Sequence, residues 1–582
     1  MRTALLPTTE KTKGLVAPAT TARAATHLGW RIDRVTARRS IKAILWLVLF
    51  SLIAGSVQWH AGAYGYGFGI YPDEPGHYVT GLMVYKYVTT ALGSNPVRFA
   101  ERFYAHYPLV AFGHWPPLFY FLQAAWGLFF GLSRASALIL MAALSGAIGA
   151  ILYGTLRARF GPLYGIVFAL VFLLIPIVQR HTSAVMAEVP LTLFTVAAIV
   201  TCSRYFAVPT PRTAAAFGIC LCAAIATKGN AWALIPVPVC AALLSRSKHT
   251  AIPKHFWIPM AVVLLCCAPL TVVTSKMTMA GWDQQAFSLS FVARALPLYL
   301  GHYTAMIGPI LLLASALGVY ITVIKPLRQG IQVDLFWACN AGLVLSVLLF
   351  HCVVPTSVEP RKLFMSLPSL LMFAAAGANG LMHRFKERGA LTHGLACACL
   401  VLFAILSVFT CVPQAFDAHP NMGYVAQQVL ALPRLHNTAI LVASSEFSEV
   451  AELSLVAEIA SREAGNYSHA VLRAGKILEN SSWLGSERKL LYSEPDQVSA
   501  ALGAIPISAV VLYTGVGSSN AHLPLVQEAL RKDPAGWVRQ YTQRTDRGQI
   551  DLFVSASMRQ QQIRLPELDL RRTLGRTIHA EF

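Results

Sequence analysis

The chain has 582 residues, of which 55% are hydrophobic and only 13% are charged, with a mean hydropathy of +0.54. Soluble globular proteins carry about 25% charged residues, so the composition excludes an ordinary soluble protein and indicates a multi-span membrane protein. The formal net charge of +20 would suit a nucleic-acid-binding protein. Because Lys and Arg lie mostly in short loops between apolar runs, the positive-inside pattern explains this charge, and we expect no nucleic-acid partner.

The cysteines and histidines form no metal-binding pattern. All eleven Cys lie between Cys202 and Cys411, within or beside apolar segments, which is typical of small buried hydrophobic residues rather than of a disulfide or zinc framework. No His or Cys spacing resembles a zinc set, and we expect neither a metal site nor a cofactor. A divalent cation stays open as an alternative, since two carboxylates recruit magnesium when they converge with a phosphate.

Two adjacent carboxylates follow the first apolar run. Residues 1–40 are rich in Thr, Ala and Arg and lack the apolar core of a signal peptide, so we predict a disordered cytoplasmic tail before a first span from Ile41 to Trp59. Asp73 and Glu74 come next, between two prolines, in a chain with few acids for hundreds of residues. A catalytic base or a cation site requires such a placement. The alternative is an exposed turn that happens to be acidic.

Eleven spans and one non-spanning helix give the most regular charge distribution. The run Leu118–Phe130 is interpreted as a surface or re-entrant helix, because counting it as a span would place most basic loops outside. With this count Glu188, Asp283 and Glu359 lie on the outer face with the first acidic pair. Further apolar runs begin near Ser136, Pro162, Val189, Thr213, Ala231, Phe256, Tyr303, Asp334, Leu363 and Leu391.

Beyond Val412 the sequence changes character. Short strands are predicted at Thr438–Ala443, His469–Leu472, Lys489–Tyr492 and Ser508–Tyr513, with helices at Glu446–Arg462 and Leu523–Lys532. We therefore divide the chain into the tail (1–40), a membrane domain (41–412) whose first extracytoplasmic loop is 60–135, and a small soluble α/β domain (413–582). By parity of the spans, this last domain is extracytoplasmic.

Five marks occur in a characteristic order along the chain. They are the acidic pair at 73–74, Pro116-Pro117-Leu118, Glu188 at the head of a span, Thr227-Lys228-Gly229-Asn230 and Arg361-Lys362-Leu363-Phe364. Together they resemble the GT-C glycosyltransferases of the protein O-mannosyltransferase and aminoarabinose (lipid A) transferase type. The resemblance covers roughly Ile41 to Leu381 and is strongest from Tyr71 to Leu234. The sequence departs from the family at Trp115, where many members have Lys, and at Glu188, where they have Asp.

The resemblance implies a GT-C fold of about 11–13 transmembrane helices, followed here by the small extracytoplasmic α/β domain. It also implies an inverting transferase that moves a sugar from a polyprenyl-phosphate donor to a lipid, glycan or protein hydroxyl. The predicted location is the inner (plasma) membrane of the cell, embedded in the lipid bilayer, with the active site on the extracytoplasmic face.

The same resemblance assigns roles to individual residues. Asp73 is the expected base, and Glu74 or Glu188 the second carboxylate that orients the acceptor or binds a cation. Lys228, Arg361 and His114 are expected to hold the phosphate, while His77 and Tyr78 line the sugar or acceptor pocket. A plainer interpretation exists for several: a lysine near a span end snorkels, an acid caps a helix, an arginine anchors a helix end and interfacial aromatics form belts.

Two other functions compete with an enzyme. A transporter or flippase for lipid-linked sugars should carry charged or broken-helix sites near mid-membrane, whereas the acids here cluster at span ends on one face. An inactive relative that serves as an assembly scaffold is the third alternative. We favour the enzyme because the acidic pair and Lys228 both stand at matching positions.

Overall fold

The computed structural model describes most of the chain. The described residues are 20–110, 113–245, 255–280, 287–386, 390–411, 421–445, 449–463, 468–480, 488–505, 507–515, 520–545, 547–556, 568–570 and 576–578. The predicted Asp283 of an outer loop lies outside them.

The first half of the chain is helical. Its helices are α1 (Thr20–His60), α2 (Asp73–Thr90), α3 (Pro96–His106), α4 (Leu118–Phe130), α5 (Arg134–Phe160), α6 (Pro162–Leu174), α7 (Pro176–Thr182), α8 (Glu188–Ala207), α9 (Pro211–Thr227) and α10 (Val237–Ser245), with a 3-10 helix at Gly229–Leu234. Helix α1 begins at Thr20, so half of the segment predicted to be a disordered tail is helical.

Six further helices complete the membrane part. They are α11 (Trp257–Ala280), α12 (Leu289–Val319), α13 (Lys325–Arg328), α14 (Leu335–Val353), α15 (Leu367–Lys386) and α16 (Ala390–Phe409), with a 3-10 helix at Pro360–Ser366 before α15. Among the described residues, 7 helical segments are long and apolar enough to cross a membrane, or up to 8 if α6 and α7, which are bent by 67°, form one span. The chain is therefore a multi-pass membrane protein.

The predicted spans and the observed helices agree closely in position. The count of eleven spans also needs α9, α10 and α16, which are shorter apolar helices, so that count stays a prediction. Helix α4 has 13 residues and is about 20 Å long, too short to cross a core of about 30 Å. The prediction that a span begins near Tyr303 is wrong, since α12 begins at Leu289. The apolar run of this helix is interrupted at Arg294 and Pro297, but the helix continues through both residues.

Glycines allow α12 and α15 to pack closely. A Cβ atom on Gly318 of α12 would lie 1.9 Å from the carbonyl oxygen of Phe373, and one on Gly377 of α15 would lie 2.1 Å from that of Ala314. Small residues at such crossings let two helix backbones approach within a membrane. Helix α12 also bends at Gly308, which has φ 72°. The crossing fixes α15, which directly follows the 3-10 helix that contains Arg361.

The part after residue 420 is a small α/β domain. Its helices are α17 (Gly423–Leu430), α18 (Val450–Arg462), α19 (Ala474–Ile477), α20 (Pro495–Ala504) and α21 (His522–Lys532). Its strands are β1 (Thr438–Ser444), β2 (His469–Arg473), β3 (Glu479–Asn480), β4 (Lys489–Leu490), β5 (Ile507–Gly515), β6 (Trp537–Thr545), β7 (Gly548–Ser555), β8 (Leu568–Leu570) and β9 (Arg576–Ile578). The main sheet has the order β2-β1-β5-β7-β6, parallel from β2 to β5 and antiparallel from there to β6.

The three parallel strands of this sheet coincide with predicted strands. Strands β1, β2 and β5 carry nearly continuous apolar runs, as parallel strands covered on both faces do. The hairpin β6–β7 was not predicted, because β6 is polar and partly exposed and its residues give no apolar run. The predicted fold class, a helical membrane bundle followed by a small α/β domain, is confirmed.

The α/β domain docks on the first loop region of the bundle. Lys86 of α2 donates to the carbonyl oxygens of Glu463 and of Ala460, the latter at 3.3 Å, at the end of α18. Arg473, the last residue of β2, donates to the carbonyl oxygen of Pro108 at 3.2 Å. These contacts join the domain to the segment that carries the acidic pair.

Candidate functional site

The hairpin α8–α9 brings Glu188 and Lys228 together. The two helices pack antiparallel along each other and are joined by residues 208–210, so the start of α8 returns to the end of α9. Lys228 immediately follows α9, and its Nζ donates to Glu188 Oε1 at 2.6 Å. Both side chains are buried, with 12% and 2% of their surface exposed. The pair is therefore a local consequence of two helices of similar length.

A second ion pair joins the first loop to a late span. Asp73 is the first residue of α2, where the partial positive charge of a helix N-terminus favours a carboxylate. Its Oδ2 accepts from Nη1 of Arg361 at 2.5 Å, and Nε of the same guanidinium donates to Glu359 Oε2 at 2.5 Å. One arginine thus holds two carboxylates, and Asp73 keeps 32% of its side chain exposed.

Both pairs lie at the same end of the bundle. Helix α8 has 20 residues, about 30 Å, and carries Glu188 in its first turn and Arg204 in its last. At the end away from Glu359, α14 is capped by Asp334, which lies 3.4 Å from Arg159 of α5. The candidate site is thus separated by the length of the helices from an end rich in arginine, as the predicted charge distribution requires.

The two ion pairs form one charge cluster. The charges of Arg361 and Lys228 both act on Asp73, and both act on Glu188. Burial raises the pKa of the Asp73 carboxyl, but the charges of Arg361 first and then of Lys228 outweigh that effect, so the pKa lies below its usual range. Asp73 is consequently ionised at neutral pH. We call Asp73, Glu188, Lys228 and Arg361 the charge cluster.

His77 lies beside the charge cluster as a neutral ring. It stands one helical turn after Asp73 and is 1% exposed. Its Nδ1 lies 3.0 Å from the Tyr120 hydroxyl, and its ring centroid lies 4.0 Å from that of Trp115. Within the described part of the chain Nε2 has no hydrogen-bond partner. Burial, and then the charge of Lys228, lower the pKa of His77 to about 3, so the ring is uncharged at physiological pH.

Glu74 and Tyr78 face a different direction. The Oε2 atom of Glu74 accepts from the backbone N–H groups of Gly69 and Ile70 at 2.9 and 3.0 Å, and Oε1 accepts from that of Val185 at 3.2 Å. The hydroxyl of Tyr78 donates to the carbonyl oxygen of Leu132 at 2.8 Å. The structure therefore does not bring these two predicted site residues to the charge cluster.

His114 packs beside Trp115, which contacts the site. It is half-buried, and its ring centroid lies 5.3 Å from that of Trp115, which in turn stacks on His77. Its predicted contact with phosphate stays a prediction.

Three site residues were missed from the sequence. The Tyr71 ring lies 4.6 Å from the Arg180 guanidinium carbon and 5.6 Å from that of Arg361. His181 packs between Tyr71 and Phe364, at 4.9 and 4.8 Å between ring centroids. Tyr71 lies in the same motif as Asp73, which is a usable signal. Arg180 and His181 lie in helix α7, and Pro176 at the bend between α6 and α7 was the available cue.

Lys362 is a third cation at the site. It belongs to the same sequence motif as Arg361, but no role was predicted for it. It lies within electrostatic reach of Lys228, Arg361 and Glu188. Three cations thus share a small region with Asp73, Glu188 and Glu359. Among the described residues, no group of three or more His, Cys, Asp or Glu side chains is arranged to hold a metal ion. The expectation of a metal-free site and the open alternative of a cation both stay untested.

Part of the chain matches a known protein family. A sequence profile of the family described as dolichyl-phosphate-mannose-protein mannosyltransferase matches residues 114–272, which include Glu188 and Lys228. A search of curated proteins finds no match.

The whole architecture is similar to solved membrane proteins. ArnT from Cupriavidus metallidurans, in the apo state, superposes with a TM-score of 0.56 at 13% identity, covering 87% of this chain and 97% of ArnT. The same protein bound to undecaprenyl phosphate gives 0.54 at 12% identity, with 87% and 98% covered. The chain has the GT-C fold.

A second GT-C structure supports this fold. The archaeal oligosaccharyltransferase AglB from Archaeoglobus fulgidus, in complex with an inhibitory peptide and a dolichol-phosphate, gives a TM-score of 0.51 at 11% identity, covering 81% of this chain and 69% of AglB. At these identities the likeness concerns the GT-C architecture. The predicted resemblance to GT-C glycosyltransferases is thereby confirmed as a fold assignment.

Proposed function

We propose that this protein transfers a sugar from a polyprenyl-phosphate donor to an acceptor hydroxyl, with Asp73 as the base. The observation that carries the proposal is the convergence of Asp73, Glu188, Lys228 and Arg361 from four separate segments at one end of the bundle. Transfer of a sugar from a phosphate needs a proton acceptor for the acceptor hydroxyl and positive charges near the leaving phosphate. The carboxylates and cations of the cluster can supply both.

The step is a single displacement. The acceptor oxygen attacks the anomeric carbon and gives its proton to Asp73, while the bond from that carbon to the phosphate oxygen breaks and its electron pair stays on the phosphate. Lys228 and Arg361 stabilise the charge that develops there. With the base and the leaving group on opposite sides of the anomeric carbon, the sugar inverts. No redox cofactor takes part.

The ion pairs suggest how the donor would activate the base. Arg361 is bonded to Asp73, and Lys228 to Glu188. A phosphate that draws both cations to itself would weaken these pairs. The pKa of Asp73 would then rise towards the operating pH, which improves a general base.

The similar structures support the donor class. ArnT binds undecaprenyl phosphate and AglB binds a dolichol-phosphate, so two GT-C proteins of this architecture hold a polyprenyl phosphate. The matched family transfers mannose from dolichyl phosphate to protein, by its description. The acceptor class here, whether lipid, glycan or protein, is left to experiment.

We place the site and the α/β domain on the extracytoplasmic face of the plasma membrane, because arginines gather at the other end of the helices.

The first test compares Asp73→Asn with Asp334→Asn. Both changes remove one carboxylate at a helix N-terminus, but Asp334 lies at the far end of α14. We expect Asp73→Asn to lower sugar transfer from a polyprenyl-phosphate donor by about 100-fold or more, and Asp334→Asn to leave it unchanged. Lys228→Ala should also abolish transfer, with Lys325→Ala as its matched control. Wild-type transfer rates in both Asp73→Asn and Lys228→Ala would refute the proposal.

A further inference from the structure

A polar cavity lies near the residues of helix α2 that point away from the charge cluster. Asp73 belongs to the charge cluster, and His77, one turn later, lies beside it. Glu74 instead contacts Arg134, and Tyr78 lies close to Ser461. There a cavity of about 360 Å³ opens between the first loop, the start of α5 and helix α18 of the α/β domain. This volume is within the range of small-ligand sites, about 300–1,000 Å³.

The lining offers both donors and acceptors. Arg134 and Arg462 supply guanidinium groups, Glu458 a carboxylate and Asn421 an amide. Each guanidinium already has an acidic partner, since Arg462 is bonded to Glu458 and Arg134 lies 3.6 Å from Glu74. A phosphate would have to lie against the Glu458 carboxylate. Balanced charges with many donors and acceptors favour a neutral, hydroxyl-rich ligand.

Tyrosines supply the apolar part of the lining. Tyr64 and Tyr66 form the wall on the first loop, and Tyr66 is 36% exposed. The Tyr64 hydroxyl is fixed by donating to Gln58 Oε1 at 2.7 Å. A sugar presents a C–H face that packs on an aromatic ring and a rim of hydroxyls that donate and accept. Tyrosine provides such an apolar body with a polar tip.

We propose that this cavity binds a neutral oligosaccharide segment of the acceptor, which therefore is a glycan; this rests on the proposed function. The lipid donor needs an apolar slot, which this polar cavity does not provide. Arg134 connects the two regions, because it lines the cavity and contacts Glu74, the residue next to Asp73. An acceptor held here would thus lie beside the segment that carries the base.

The test measures oligosaccharide binding directly, without transfer. Short linear oligosaccharides of glucose, mannose, galactose and N-acetylglucosamine are titrated onto the full-length protein in detergent, with inorganic phosphate as the anionic probe, since the N-terminus of α5 also lies at the cavity. Ser461→Trp fills the cavity, and Tyr66→Ala removes its aromatic wall. Tyr424→Ala, at a 57% exposed tyrosine outside the lining, is the matched control.

We expect at least one oligosaccharide to bind, with affinity about tenfold weaker in Ser461→Trp and in Tyr66→Ala and unchanged in Tyr424→Ala. Asp73→Asn should bind it as the wild type does, so a loss of transfer and a loss of acceptor binding are separate results. Failure of the whole panel to bind, binding of phosphate alone, or wild-type affinity in both cavity variants would overturn the proposal. Intact transfer by Asp73→Asn would instead refute the proposed base and leave the cavity result standing.

Discussion

Two neighbouring acids in the first turn of α2 have different surroundings. Successive residues of a helix point about 100° apart, so Asp73 reaches Arg361 while Glu74 turns back to the loop before the helix. The sequence gives both the same local context. Only the segments that pack against each face distinguish the acid proposed as base from the acid that organises the loop.

Glu74 should matter for stability more than for chemistry. Its carboxylate is fully buried, accepts three backbone N–H groups and faces Arg134. Glu74→Gln leaves some of these donors without an acceptor, and we expect it to lower the unfolding free energy by about 3 kcal/mol. Asp73→Asn, at a part-exposed carboxylate, should cost clearly less. Thermal unfolding of both variants in detergent checks this, and equal midpoints would contradict it.

The pH profile of kcat/KM, which reports the free enzyme, should be flat across the physiological range. The pKa of Asp73 lies below its ordinary value of about 3.9, and that of His77 is about 3, so neither group titrates between pH 5 and 8. Because a lowered carboxyl pKa keeps the base ionised down to acid pH, kcat/KM should fall only below about pH 4. Measurement of kcat/KM from pH 4 to 8 tests this. An inflection near 6.5 that His77→Gln removes would contradict it.

At the scale of elements, helix lengths decide which residues meet. Helices α8 and α9 return to the same end because they are similar in length and joined by three residues, and this brings Glu188 to Lys228. Helix α14 is of similar length to α8 and ends at the same end of the bundle. The 3-10 helix that follows it contains Arg361, which therefore also lies at that end. Hydropathy predicts such lengths well, so these three residues could be assigned to one end from the sequence.

The crossing of α12 and α15 should tolerate no side chain at Gly318. An added Cβ would lie 1.9 Å from the Phe373 carbonyl oxygen, so the two helices must separate. We expect Gly318→Ala to lower the unfolding free energy by about 1–3 kcal/mol and to displace Arg361 at the head of the α15 segment. Gly154→Ala is the control, because nothing lies within 4 Å of its Cβ and the change removes a glycine from helix α5. Similar unfolding midpoints in both variants would be inconsistent with this account.

At the scale of the whole molecule, the α/β domain is docked on the first loop region of the bundle. Lys86 of α2 donates to carbonyl groups of Ala460 and Glu463, which are among those left without partners at the end of α18. The same helix begins with Asp73. The contact between the domains and the proposed base thus lie on one helix.

Loosening this contact should expose α18. Lys86 is 6% exposed, and Lys86→Met leaves the carbonyl groups at the end of α18 unpaired, at a cost of about 1–3 kcal/mol. Faster hydrogen exchange in residues 450–462 is expected, while Lys489→Met, an exposed change in the same domain, should leave exchange as in the wild type. Unchanged protection of α18 in Lys86→Met would show that the docking does not depend on this lysine.

The sequence determined the class of protein, the positions of most helices and the strands β1, β2 and β5. It could do so because long apolar runs and buried strands are local signals that depend on few distant contacts. It also indicated Asp73, Glu188, Lys228 and Arg361, because they stand in short motifs whose order along the chain resembles that of the GT-C glycosyltransferases.

Tertiary structure decided how these charges pair and which of the predicted residues stay outside the cluster. The pairing of Asp73 with Arg361 joins residues 288 positions apart, and no local pattern specifies it. Glu74 and Tyr78 lie on a different face of α2 from His77, and the segments that pack on each face decide what these side chains contact. The polar cavity exists only because α18 docks beside the first loop, so contacts between distant segments, which the sequence encodes only collectively, create it.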